Sequence, residues 1–305
     1  MEALLSTAFD NLSSYDGPKV RKGLRQVEGL LAQICLSTDP PRSASSSPTK
    51  NGSPTKQTED NTSSSGKENE APRKDLAELT RDPAFREFFK LQEGFEWNVA
   101  SRLISTLDRL LAGGSDGQND LLILSALDLI QGLLLLHPPS KTLFSREQNM
   151  NLLLDLLEPY NCPAIQSATL LTLVTALIDT PRNTRAFEAL DGLLTVTSLF
   201  KSRSTAREVK LKLVEFLYFY LMPETPTIAR AGAGATRDVL QRSPSKLAGA
   251  FNGDSQRRGS RFDTDAVGLE LSTAEKQELL GRHLSSVEDL VKDLRTSAPF
   301  GGVVS

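Results

Sequence analysis

Apolar side chains recur along this chain at the spacing of a helix, not that of a strand. Between Pro18 and Ile34 they fall at Val20, Leu24, Val27, Leu31 and Ile34, with Pro18 in a first turn, where a proline is tolerated. Near the C-terminus the spacing returns at Leu280, Leu284, Val287, Val291 and Leu294, behind the capping-box string Ser272-Thr273-Ala274-Glu275. Both segments predict amphipathic helices with one face to bury. From Asp82 to Met222 the pattern predicts closely spaced helices, with Pro83, Pro163 and Pro181 in first turns and capping boxes at Ser145–Gln148 and Thr205–Glu208. Connections this short join antiparallel neighbours.

Two segments lack such a pattern. Residues 37–74 consist mainly of Ser, Thr, Pro, Asn, Lys and Glu, with hardly an apolar side chain to offset the entropy of ordering them. Residues 223–270 turn rich in Gly, Ala, Arg and Ser. Both are expected to be disordered insertions. Asn51-Gly52 and Asn252-Gly253 fall inside them and so mark no hairpin between alternating apolar runs. The fold class expected is therefore all-α. N-terminal helices over 1–36 pack on a helical core over 75–222, and 271–305 supplies a C-terminal amphipathic helix and tail.

The core also repeats. Leu153, Leu156 and Leu157 align with Val196, Leu199 and Phe200, and Ile165–Leu177 align with Val209–Leu221, a period of about 43 residues. Periods of roughly 40 to 47 residues belong to armadillo and HEAT solenoids. The string Asn183 to Phe187 followed by Leu190-Asp191-Gly192-Leu193-Leu194 resembles an armadillo junction, with Gly192 allowing the sharp turn. An armadillo/HEAT-like solenoid offers grooves along which another protein is held.

Charge and cysteine content narrow the function. With 35 Lys+Arg against 38 Asp+Glu there is no overall basic excess for nucleic-acid phosphates. Cys35 and Cys162 stand far apart, without neighbours at zinc-ligand spacing, which fits a reducing compartment. The N-terminus lacks the pattern of a secretion signal. The most apolar run, Leu121–Leu136, is broken by Ser125, Asp128, Gln131 and Gly132 and falls short of the ~20 residues that span a bilayer. It is read as a buried helix.

Catalytic chemistry finds no constellation. His137 and His283 are the two histidines, one before Pro138-Pro139 at a helix end and one on a surface helix. Cys162 lacks the phosphate-cradling loop and trailing arginine of a cysteine phosphatase, and no Walker loop occurs. No cofactor and no small-molecule substrate are expected. Ser47, Ser53 and Ser243 each precede a proline, with lysine three positions on, the form read by cyclin-dependent kinases. Phosphate at each would add about -1.5 to -2 charges. Lys67-Glu68-Asn69 matches a short degradation signal. For partner binding, Phe216, Phe219 and Tyr220 share a helical face, which leaves Tyr218 to point elsewhere as a hot-spot candidate. The basic run Lys201, Arg203, Arg207, Lys210 and Lys212 could meet an acidic partner, although a solvated helical face has the same composition.

Arg21–Gly29, His137–Phe144, Phe187–Leu194, Glu215–Glu224 and Glu275–Gly301 together resemble one family. It is the cell division control protein 14 component of the fungal septation initiation network, unrelated to the phosphatase of the same name. The resemblance implies a regulator of septum formation and cytokinesis that binds a germinal-centre-type protein kinase, supports its activity and is found at the spindle pole body. It brings no catalytic residues. The alternative is a structural scaffold of the spindle pole or septum that binds no kinase.

Overall fold

The computed structural model describes residues 1–36, 74, 76–113, 117–224 and 270–288. The expected disordered segments, with Ser47, Ser53, Ser243 and Lys67-Glu68-Asn69, lie outside them apart from Lys74, Pro223, Glu224 and Glu270, as do Val291 and Leu294. The described elements are helices, and the all-α expectation holds; no strand element occurs among the described residues. None of the helices is long and apolar enough to cross a membrane. The chain divides into two compact units, Met1–Thr106 and Leu107–Ser305.

In the first unit, α1 (Glu2–Leu12) and α2 (Gly17–Cys35) form an antiparallel pair. The predicted stripe Val20, Leu24, Val27, Leu31 and Ile34 is buried, against Leu5, Ala8, Phe9 and Leu12. Each such side chain contributes about 1.5–3 kcal/mol by leaving water. The helices meet at Gly23, where a Cβ would lie 2.9 Å from the Leu12 nitrogen and 3.1 Å from the Ala8 carbonyl oxygen. Asn11 donates across the pair to Gln26 at 2.8 Å. α3 (Leu76–Arg81) and α4 (Pro83–Glu93) follow, with Asp82 accepting from the Ala84 and Phe85 amides as the α4 cap. Lys74 donates to the Ile34 carbonyl at 3.0 Å and pairs with Asp82. Buried Gln92 accepts from the Val99 amide and donates to the Trp97 carbonyl, fixing the turn into α5 (Val99–Ala112).

The second unit holds the segments read as a repeat of about 43 residues. α6 (Asp120–Leu136), a 3₁₀ helix (Pro138–Ser145) and α7 (Glu147–Asp155) are followed by α8 (Pro163–Leu177), α9 (Pro181–Ala189) and α10 (Gly192–Lys201), then α11 (Arg207–Leu221) and α12 (Thr273–Gly281). Pro138 and Pro181 start equivalent short helices 43 residues apart, and Phe144 and Phe187, separated by the same interval, are both fully buried. α6 packs on α8 and α8 on α11, while the 3₁₀ helix packs on α9. The Lys141 amine, just past α6, donates to the Ile178 carbonyl at the far end of α8. Asn183 opens α9 and donates to the carbonyls of Lys141 (2.8 Å) and Ala176 (2.7 Å), tying three elements together.

Several local expectations change. The Ser145 hydroxyl bonds back to the Thr142 carbonyl and Thr205 to that of Leu199, so Arg146 and Ala206 take the N-cap positions of α7 and α11 and those capping boxes do not form. Ser and Thr offer the backbone such alternatives. At the junction before α10 the left-handed residue is Asp191 (φ 58°), and Gly192 serves a different purpose: a Cβ there would meet the Phe187 ring at 2.3 Å. Leu280, Leu284 and Val287 are all buried, but α12 stops at Gly281, so they do not share one helix. α6 is buried along Leu122, Ile123, Leu127, Ile130 and Leu134, yet exposes Leu121 and Leu135.

Candidate functional site

The most concentrated chemistry in the described chain lies where α9, the end of α11 and α12 meet. Arg185 on α9 reaches Glu188 one turn on at 2.9 Å and Glu224, just past α11, at 2.8 Å. Lys276 in the first turn of α12 pairs with Glu224 at 3.0 Å and donates to the Met222 carbonyl. Its ammonium lies 5.2 Å from the Tyr220 ring centre, a cation–π distance. Tyr220 donates its hydroxyl to Glu188 at 2.7 Å, and the second Glu224 oxygen accepts from the Leu271 amide at 3.0 Å. Two cations thus face two carboxylates in a site where Lys276 and Glu224 are nearly buried. The capping box Ser272–Glu275 is formed as the sequence predicts and fixes the start of α12, so that Lys276 points inward.

Burial governs the titration of this cluster. It pushes the Glu188 carboxyl above its ordinary value, against the Tyr220 hydrogen bond and Arg185, which lower it. It pulls the Lys276 amine down, against the pairing with Glu224. Tyr220 is raised far beyond the phenol range by burial and by donating to Glu188, and stays protonated. Removing one member of such a set leaves a buried charge unpaired, at a cost of about 3–5 kcal/mol. Beside the cluster opens a cavity of about 240 Å³, walled by the C-terminal ends of α8 and α11 through Leu177, Ile178, Phe219 and Met222, with Asp179, Glu224 and Lys276 as its charged lining.

The basic partner-binding candidates lie at the other end of α11, whereas Tyr218 is in its last turn. Lys201 closes α10 and donates to the His283 carbonyl, Arg203 and Arg207 are exposed, and Lys210 is half-buried. The structure brings these four to the α10–α11 turn and the start of α11. Tyr218 is half-buried on α11, not fully exposed. Of the aromatic face, Phe216 and Tyr220 are core, Phe216 meeting Phe187 edge-on at 5.6 Å, whereas Phe219 is half-buried at the cavity. The Arg185–Glu188–Glu224–Lys276 set was not singled out from sequence. The available signal was Lys276 itself, a cation in a helix first turn, where the macrodipole disfavours it.

His137 is buried at the C-terminal end of α6, its Nδ1 2.8 Å from the Ser140 hydroxyl. Cys162 is the residue before α8, at the opposite end of the packed row, about one helix length or ~22 Å away. His283 is half-buried past α12. Among the described residues no three of His, Cys, Asp or Glu gather as a metal site.

Comparison with known proteins places this chain in a family. The curated Cell division control protein 14 of Schizosaccharomyces pombe is 29% identical over 222 residues, covering 70% of this chain and 78% of the relative. No solved structure matches. The family described as Cell division control protein 14, SIN component, matches residues 1–300, and the chain belongs to that family.

Proposed function

We propose that this chain is a non-catalytic adaptor of the septation initiation network. It binds a germinal-centre-type protein kinase in the cytoplasm and at the spindle pole body, supports its activity and so promotes septum formation and cytokinesis. The observation that carries this reading is the family match across residues 1–300. The fold supports it: the 43-residue correspondence between successive helix sets and the side-by-side row α6, α8, α11 is read as an armadillo-like stack, whose resource is extended surface. Phosphorylation of Ser47, Ser53 and Ser243 is proposed to tune binding through added charge.

Reconstitution tests the proposal. Kinase activity measured with and without the purified chain is expected to rise on its addition; co-purification from the host without any kinase, together with an unchanged rate, would sink the adaptor reading in favour of a kinase-free scaffold. Cys162→Ser is expected to retain full function in a septation assay, and its loss would instead point to thiol chemistry.

A further inference from the structure

α8 contains no charged residue over its whole length. Its buried side holds Leu170, Leu173 and Leu177, and its threonines satisfy themselves on the carbonyls one turn back, Thr169 on Ile165, Thr172 on Ala168 and Thr175 on Leu171. The other side, Ala164, Ser167, Ala168, Leu171, Val174 and Ile178, recurs at helical spacing and is exposed or half-exposed, Leu171 and Ile178 at 40%. A helix that only needed to pack on its neighbours would carry polar residues on such a face. The matching positions of α11, 44 residues on, are Lys212, Glu215, Tyr218 and Met222, with exposed Leu211 beside them, so the uncharged face is confined to α8 and the Lys212–Glu215 pair at 2.7 Å marks its border on that side. On α6 the matching ends are Leu121 and Leu135, at 70% and 61% exposure, with Asp128 between them marking the border of the strip.

The three helices run parallel: Lys141, following α6, reaches the C-terminal carbonyl of α8, and the C-terminal ends of α8 and α11 wall the same cavity. Their dipoles therefore add, positive at one end of the strip and negative at the other. At the N-terminal end Arg203, Arg207 and Lys210 outnumber exposed Glu208 and leave a net basic cluster, while at the C-terminal end exposed Asp179 is offset by exposed Arg182.

From the uncharged floor and the length of α8, and from the net basic cluster beside its N-terminal end, we infer that the exposed face of α8 is the docking surface for an amphipathic helix of a partner protein. That helix lays three to four turns of uncharged apolar residues along α8. It carries acidic residues where it meets Arg203, Arg207 and Lys210. The inference deepens the adaptor reading and rests on it for the existence of a partner.

A photo-crosslinking residue at position 171 of the full chain, expressed in its host, identifies the occupant by the sequence of the crosslinked peptide. The expected product is a helix-patterned peptide of another protein, apolar on one face and acidic at one end. Crosslinks confined to this chain's own C-terminal residues, to a second copy, or to a peptide without that pattern overturn the proposal, as does the absence of crosslinks. In parallel, Leu171→Glu and Val174→Lys are each expected to weaken binding of the purified kinase by at least about tenfold with an unchanged melting temperature, and Arg207→Glu to weaken it most at low salt. Full kinase affinity in both strip variants overturns the surface and leaves the adaptor reading intact. The expected peptide arriving from a protein other than a kinase keeps the surface and overturns the kinase.

Discussion

Gly192 is held to its size by the Phe187 ring, not by its backbone angles. Gly192→Ala must displace a fully buried aromatic that also packs on Phe216, and is expected to destabilise the second unit by about 1–3 kcal/mol, measured by denaturant unfolding. At Asp82 the governing quantity is charge. The hydrogen bond from Lys74 holds its carboxyl below the ordinary value, and the Ala84 and Phe85 amides add to that against partial burial. A depressed folded-state pKa means stability that is present above the unfolded value near ~3.9 and is lost as pH falls through the folded one. Asp82→Ala is therefore expected to cost about 1 kcal/mol at neutral pH, and its melting temperature should converge on that of the parent in acid. At this scale the sequence was read well for apolar positions and poorly for polar ones. The stripe in α2 needs only a period, whereas the hydroxyls of Ser145 and Thr205 choose between two nearby backbone partners, and no residue pattern records the choice.

Among the elements, α12 is the one whose attachment depends on charge. Lys276 and, just ahead of the helix, the Leu271 amide bind Glu224 just past α11, Lys276 lies over the Tyr220 ring of α11, and Leu280 is buried. Glu224→Ala removes the acceptor shared by Arg185, Lys276 and Leu271, and is expected to cost about 3–5 kcal/mol and to speed amide exchange across 273–281 before the rest of the second unit. Uniform exchange across both regions would show that α12 is held by its apolar face alone. The helix and its capping box were legible, since both are local patterns. Its partner was not: Glu224 lies far back in the chain, and nothing in either segment names the other.

At the level of the whole molecule, the all-α class was legible because helical spacing of apolar residues recurs along the described chain, and the interval of about 43 residues was read from Leu153, Leu156 and Leu157 against Val196, Leu199 and Phe200. The division into two units was not, because its boundary falls inside α5, where the helical pattern runs on without a break. α8 sits between α6 and α11, so a defect there reaches both neighbours. Leu173→Ala, at a fully buried position, is expected to lower the stability of the second unit by about 2–5 kcal/mol in a single cooperative transition, followed by denaturant titration. Two transitions would show that α6 and α11 hold without it.

The order of synthesis gives the charge cluster one more consequence. Arg185, Glu188 and Glu224 leave the ribosome before the second cation, Lys276, which follows Glu224 by 52 residues. Until it does, the nascent unit carries an acid in excess at a place meant to be dry, so a chain stopped upstream of Leu271 is not merely shorter but electrically incomplete.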